Sequence, residues 1–362
     1  MTSIYLIRHA EAEGNLYRIA QGQYNSILTD RGWRQVAALA RRFADISVDA
    51  VYSSDLYRTC ATASAIYKPK GLPLHRDPAL REICVGVWEQ KTWGEIARES
   101  PEQLEYFTHQ LHLWHVEGAE TPVQVRDRVL AAVRAIAAEN DGKTVAVFCH
   151  GCAIRILLAT LQGIPLEELG TTPHGDNTAV SLLRGDGEHL EVVWRDDNSH
   201  LRTPEFLAGE DGGRHANALE PGLYFEPARL PEQQSLLDRA LAETGAAPGR
   251  PGQPVLAGHL LDGRTVGLVR FDPDREAAEG RGWVDLFWIQ EDCRRKGYGT
   301  QLIGQAVMYY RPLGRDRLRT TGPAALPLFA RRGFLPVEGE DGVLEKNIGY
   351  DPEFLGDTAH TV

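Results

Sequence analysis

The sequence predicts an α/β protein in two parts, and three observations carry the prediction. Short apolar runs at 4–7 and 145–149 read as buried parallel strands. Segments with helical spacing lie between and after them, and alternation of strands with helices marks an α/β sheet. A polar stretch containing several Gly and Pro, 203–222, then separates this block from a second one of unlike pattern.

Taken in order, 32–43 has helical spacing, with Trp33, Val36, Ala37 and Ala40 on one face. Residues 49–52 read as a strand and 56–67 as a helix. Helices follow at 122–138 and 153–161, and the block ends near Trp194. In the second block 231–243 is helical and 244–254 is a Gly/Pro loop. Strands at 255–261 and 265–271 flank a turn at Asp262-Gly263-Arg264. A strand at 283–289, a helix at 299–310 and a short helix at 324–331 complete it. The domains expected are 1–202 and 223–350, joined by a linker at 203–222.

Composition narrows the function. At 362 residues, 43% hydrophobic and 25% charged, the chain is long enough for about two domains with cores of their own. It has no run of 18 apolar residues and no basic N-terminal stretch leading into an apolar one. Neither a membrane span nor a signal peptide is expected. The net charge of −11 divides as −7 and −4 about residue 210, so no nucleic-acid footprint is expected. Five cysteines (Cys60, Cys84, Cys149, Cys152 and Cys293) suit a reduced, cytoplasmic chain better than a disulfide scaffold. A homodimer is left open.

Arg8-His9 directly follows the first apolar run and His150-Gly151 the run at 145–149. Residues just past the C-termini of parallel strands converge on one crevice, so the two histidines are expected to meet there. Arg8 joins them. Arg58 falls in the first turn of a helix, whose free N–H groups favour an anion. Guanidiniums, imidazoles and oriented amides together make a phosphate pocket.

Six stretches in order now carry a resemblance. They are Leu6-Ile7-Arg8-His9-Ala10-Glu11, Gln21-Gly22-Gln23-Tyr24-Asn25-Ser26-Ile27-Leu28-Thr29-Asp30-Arg31-Gly32, Ser53-Ser54-Asp55-Leu56-Tyr57-Arg58-Thr59, Leu80-Arg81-Glu82-Ile83, Gly118-Ala119-Glu120-Thr121 and His150-Gly151. Through them the first 200 residues resemble the histidine phosphatase superfamily, which includes the cofactor-dependent phosphoglycerate mutases. The resemblance implies a doubly wound, mainly parallel sheet. It implies that His9 is the nucleophile and forms a phosphohistidine. It implies that Arg8, Arg58 and His150 hold the phosphoryl oxygens and that Glu82 is the general acid. Asn15, Gln21, Gly22 and Gly151 are implied on the substrate side, with no cofactor needed. The chemistry is coherent: imidazole attack on phosphorus divides one displacement into two, cations steady the transition state, and a carboxyl supplies the leaving oxygen's proton. The sequence departs from the family at Ala10, Ala12 and Gln90, all toward the substrate mouth. The short, differently decorated segment favours a phosphatase over a mutase.

Residues 92–116 are expected to cap this site with Trp93, Tyr106, Phe107 and Trp114. His109, His112 and His115 would fan over more than half a helical turn, so no metal is expected. Cys149 and Cys152 match a redox spacing, but they bracket His150 and read as packed thiols.

In the second block, the strand at 283–289 leads into Arg294-Arg295-Lys296-Gly297-Tyr298-Gly299-Thr300 and then a helix. A Gly-x-Gly loop with a basic triplet between strand and helix suits a pyrophosphate. With Leu328-Phe329-Ala330-Arg331-Arg332-Gly333-Phe334 downstream, residues 220–346 resemble the GNAT acetyltransferase superfamily. The resemblance implies a mixed sheet with acetyl-CoA in a V between splayed strands. The Ile289 backbone would meet the pantetheine, and Arg294, Arg295, Lys296, Gly297, Tyr298, Gly299 and Thr300 would hold the phosphates. Phe329 stands where the family often has an acidic Tyr and Gly322 where it has Asn. Tyr298, Tyr309 and Tyr310 remain candidate acids, and Asp285 a candidate base.

The expected whole is a phosphomonoesterase joined to an acetyl-CoA-dependent N-acetyltransferase. The partners are a small phosphate ester and a small amine. Two alternatives stay open: a CoA-binding module that senses without acetylating, and a mutase.

Overall fold

The computed structural model describes residues 1–208, 210, 222–229, 231–322 and 326–355. Most of the expected linker, at 209 and 211–221, lies outside them, as do 324–325 of the expected short helix.

Two sheets organise the described residues. The first contains β1 (Thr2–Arg8), β2 (Ala50–Ser53), β3 (Leu74–Arg76), β4 (Thr144–Cys149), β5 (Val180–Gly185) and β6 (Leu190–Asp197), in the order β3-β2-β4-β1-β5-β6. β3, β2, β4 and β1 run parallel, and β5 and β6 extend the sheet antiparallel. Around it lie α1 (Glu13–Tyr17), α2 (Asp30–Arg42), α3 (Tyr57–Lys70), α4 (Trp93–Glu99), α5 (Pro101–His109), α6 (Pro122–Glu139), α7 (Gly151–Leu161) and α8 (Pro204–Ala208).

Local chemistry fixes these elements. Val145, Ala146, Val147, Phe148 and Cys149 are fully buried, as a strand covered on both faces requires. Leu6, Val145 and Val147 face α6 and α7, while Ile7, Ala146 and Phe148 face α2 and α3, so the sheet is doubly wound. α2 opens under a Thr29 cap that accepts from Gly32 N and closes on Arg41 and Arg42, in accord with the helix dipole. Thr121 and Gln124 cap α6 reciprocally, with Pro122 in its first turn. The cap over the site is two short helices, α4 and α5, because Pro101 cannot continue the first.

The second sheet contains β7 (Tyr224–Pro227), β8 (Val255–His259), β9 (Thr265–Asp272), β10 (Arg281–Ile289), β11 (Arg317–Thr321), β12 (Leu335–Pro336) and β13 (Val343–Asn347), in the order β12-β13-β11-β10-β9-β8-β7. It is mixed, with one parallel pair, β10 and β11, among the described residues. Its helices are α9 (Gln234–Thr244), α10 (Tyr298–Tyr310) and α11 (Leu326–Ala330).

The chain then turns back. α12 (Pro352–Leu355) puts Phe354 against Tyr57 and Trp33 of the first part, with ring centroids 5.6 and 5.9 Å apart. Burying that ring stabilises the return by about 2–3 kcal/mol. The expected second domain, 223–350, did not include this segment. The two parts also meet directly: Thr92 Oγ1 donates to the Leu223 carbonyl at 2.9 Å. A Cβ on Gly94 would lie 2.3 Å from that same carbonyl, so only glycine admits the approach.

Candidate active site

β1 and β4 pair with Arg8 opposite Cys149, so His9 and His150 are the next residues out on adjacent parallel strands. Their ring centroids lie 5.4 Å apart and both are buried. The expected meeting of the two imidazoles is therefore found.

A hydrogen bond sets the tautomer of His9. His9 Nδ1 is 2.7 Å from the Ala10 carbonyl. A carbonyl only accepts, so Nδ1 carries the proton and Nε2 keeps its lone pair. His150 Nε2 is 2.8 Å from Ser54 Oγ. Burial first, and then the Arg58 and Arg8 charges, hold His9 well below the ordinary imidazole range. Burial and Arg58 do the same for His150. Both rings are neutral near pH 7.

Arg58 is wholly buried on α3, and its two Nη atoms donate to the Tyr24 and Gly22 carbonyls at 2.9 and 2.7 Å. Burial lowers its pKa to about 10, which leaves it charged. Arg8 donates through Nη1 to the Gly175 carbonyl. A Cβ at Gly151 would lie 3.1 Å from Arg8 Nε, so the glycine makes room for the guanidinium. Arg8 Nε, Arg58 Nε and His150 Nδ1 are buried and have no protein partner. Three such atoms around one imidazole fit an anion rich in acceptor oxygens.

Glu82 sits at the N-terminus of α7. Its Oε1 accepts from Ile83 N and Ala153 N at 3.0 Å, and its Oε2 from Cys152 N at 3.1 Å. Arg128, itself paired with Glu120, grips the Glu82 carbonyl at 2.9 Å.

These groups open into a cavity of about 420 Å³. Arg8, His9, Asn15, Gln21, Gly22, Arg58, Glu82 and Gly151 all line it. His150, buried beside His9, is not among the lining residues. Ile19, Val85, Trp93 and Phe107 make an apolar wall, and His109, Arg155, Thr172 and His174 a polar one. Four side chains not singled out in the sequence support the centre. Ser54 holds His150. Asn177 donates to the His9 carbonyl at 3.0 Å. Thr62 accepts from Ala10 N at 2.9 Å, and Glu89 accepts from Gln23 N and Tyr24 N. Ser54 stands in a quoted motif; the polar turn Gly175-Asp176-Asn177-Thr178 before an apolar run was the available signal for Asn177.

Burial pushes the Cys149 thiol up to about 12, as suits a packed thiol, whereas Cys152, whose pKa burial also raises, is half-buried and lines the cavity. Among the described residues, no three His, Cys, Asp or Glu side chains form a metal-binding group, and no helix is long and apolar enough to cross a membrane.

The second crevice is built differently. β10 pairs with β11 only from Arg281 to Val284, and beyond that the strands diverge. Ile289 pairs with Gly267 on the other side. The loop ends at Gly297, with φ +87°, as the cap of α10. Arg295, Lys296 and Gly297 are exposed, and Tyr298, Gly299 and Thr300 form the first turn of the helix. Arg294 points elsewhere: Nε donates to the Ile289 carbonyl at 3.0 Å and Nη2 to Glu243 at 2.9 Å. A second cavity of about 440 Å³ opens where the strands part, beside Asp285, Phe287, Thr321 and Gly322. Asp285 is paired with the buried Arg270 at 2.7 Å. Phe329 is a core residue packed on Phe287 and Phe334, and the Tyr310 hydroxyl is spent on the Trp283 carbonyl.

Residues 4–198 match the Histidine phosphatase superfamily (branch 1), and residues 223–334 match the Acetyltransferase (GNAT) family. A probable phosphoglycerate mutase, GpmB, of Proteus mirabilis is 32% identical over 165 residues, 46% of this chain and 77% of that protein. Phosphoserine phosphatase 1 of Hydrogenobacter thermophilus is 29% identical over 201 residues, 56% of this chain and 95% of that one. Among solved structures, YhfR of Bacillus stearothermophilus aligns with a TM-score of 0.54 at 32% identity, covering 56% of this chain and all of that one.

Proposed function

From a chain that belongs to the histidine phosphatase superfamily and carries a GNAT acetyltransferase domain behind it, we propose a phosphomonoesterase centred on His9, joined to an acetyl-CoA-dependent acetyltransferase for a small amine. The domains of the proposal are 1–202 and 223–350, with α12 returning to the first.

One observation carries the phosphatase reading. His9 holds its proton on Nδ1 and presents a bare Nε2 among buried guanidinium and imidazole nitrogens that lack partners. His9 Nε2 attacks phosphorus as the P–O bond to the alcohol breaks, and Glu82 gives the departing oxygen a proton. Water then attacks the phosphohistidine. Its proton goes to Glu82, the N–P bond breaks, and orthophosphate leaves with His9 restored. Arg8 and Arg58 meet the equatorial oxygens throughout. The apolar wall of Ile19, Val85, Trp93 and Phe107 suits a leaving alcohol with an apolar face. Hydrolysis is preferred to a mutase's transfer because it needs only the ester and water, with no bisphosphorylated primer.

In the second crevice the exposed Gly297 loop at the head of α10 would hold the CoA pyrophosphate. The cavity beside Asp285 would take the amine. The burial of Phe329 and the engagement of Tyr310 favour a second reading, a module that binds CoA without acetylating.

A panel of phosphate esters assayed with wild-type and His9→Ala protein tests the first half. Phosphate release abolished by the substitution supports it, and release that persists removes His9 from the role. Calorimetry with acetyl-CoA, alongside an acetylation assay over small amines, separates transfer from sensing.

A further inference from the structure

The proposed catalytic side chains come from the first domain, yet residues of the second reach their neighbourhood, Arg311 and Tyr350 among them. Arg311 follows α10, and its side chain is 5% exposed. Its Nη2 donates to Glu13 Oε2 at 2.8 Å, and the Glu13 side chain is 6% exposed. Its Nη1 is 3.4 Å from the Tyr24 hydroxyl, and its Nε donates to the Ile348 carbonyl at 2.8 Å. The guanidinium also lies 5.0 Å from the centre of the Tyr350 ring.

The two first-domain partners matter because of what lies between them. Glu13 opens α1 and Tyr24 closes the loop that follows. The intervening Asn15, Gln21 and Gly22 line the cavity. Arg58 hangs from this same loop by the Gly22 and Tyr24 carbonyls. α10 lies close along α1: a Cβ at Gly304 would fall 2.5 Å from the Tyr17 side chain, so the helices approach only because residue 304 is glycine. One buried fork thus holds both ends of the loop. A planar guanidinium can do this where a point charge cannot, since its donors diverge in fixed directions.

We propose that Arg311, contributed by the acetyltransferase-like domain, is a positioning residue of the phosphatase site. It acts through Glu13 and Tyr24 to set the loop that lines the substrate cavity and carries Arg58. The proposal rests on the phosphatase reading above, so the wild-type chain must first show His9-dependent phosphate release. If it does not, that reading fails before Arg311 is at issue.

With that activity in hand, full-length Arg311→Met, Arg311→Lys and Tyr24→Phe proteins are compared for KM, kcat and the inhibition constant of orthovanadate. Displacing the loop should raise KM and the vanadate constant in Arg311→Met by about tenfold or more. Arg311→Lys should fall between Met and wild type, because it keeps the charge and loses the fork. Tyr24→Phe removes one weak contact and should raise KM by about threefold. A merely structural role would lower the amount of active enzyme, and hence kcat, at constant KM and constant vanadate affinity. Wild-type values of both in Arg311→Lys and Tyr24→Phe overturn the proposal, even if Arg311→Met does not fold.

Discussion

The two crevices of this molecule both open where strands of a sheet end, yet they are made of different material. Around His9 the working groups are side chains, buried and fixed by hydrogen bonds to neighbouring carbonyls and hydroxyls. At Gly297 the proposed groups are backbone amides at a helix start, flanked by exposed cations. A phosphoryl transfer needs charge held still in a dry site. A carrier's pyrophosphate needs amides and room. The first crevice therefore tolerates little change in its side chains, and the second little change in its backbone.

Three tests sharpen this contrast. The largest effect is expected at Glu82. Glu82→Gln should slow hydrolysis of an alkyl phosphate by roughly 10²-fold or more, and that of p-nitrophenyl phosphate much less, because a good leaving group needs little acid help. Steady-state rates on the two esters decide it, and equal losses would remove Glu82 from the acid's role.

Acid comes next. His9 and His150 have lowered proton affinity through burial, and burial followed by the Arg42 charge lowers His200 to about 4. Between pH 6.5 and the folded value the unfolded chain binds more protons than the native one, so stability falls as pH falls through that window. His200 alone should cost on the order of 2 kcal/mol between pH 7 and 5. Urea midpoints at the two pH values measure this, and His200→Gln should flatten the slope. An unchanged midpoint would mean that these rings are not buried neutral.

The smallest effect is expected at the backbone-built site. An alanine at Gly297 meets no atom within 4 Å but must hold φ +87°. That strain of roughly 1–2 kcal/mol should weaken acetyl-CoA binding about five- to thirtyfold. Arg294→Ala should change it far less, since that guanidinium is engaged with Glu243. Calorimetry on both variants checks the order, and a reversed order would give the side chain the larger share.

Much of the first site is legible in the sequence for a physical reason. Arg8-His9 and His150-Gly151 each follow an apolar run short enough to be a buried strand, and strand ends converge. The antiparallel β6 was harder, because its side chains are mostly half-exposed and leave a weak apolar pattern. Phe329 was visible as a departure, and the structure gives its reason in the aromatic core of the second domain. What local pattern could not carry was the contact between distant parts. Nothing near Glu13 announces Arg311, and nothing near Tyr57 announces Phe354. Such pairs are set by how two finished domains seat on each other.

The most direct test of the central claim is rapid quenching of the full-length enzyme during turnover of a ³²P-labelled phosphate ester. The proposal predicts transient label on the protein, stable to base and labile to acid, that maps to His9 and is missing from His9→Ala. Turnover with no labelled protein, or with label on another residue, would contradict it.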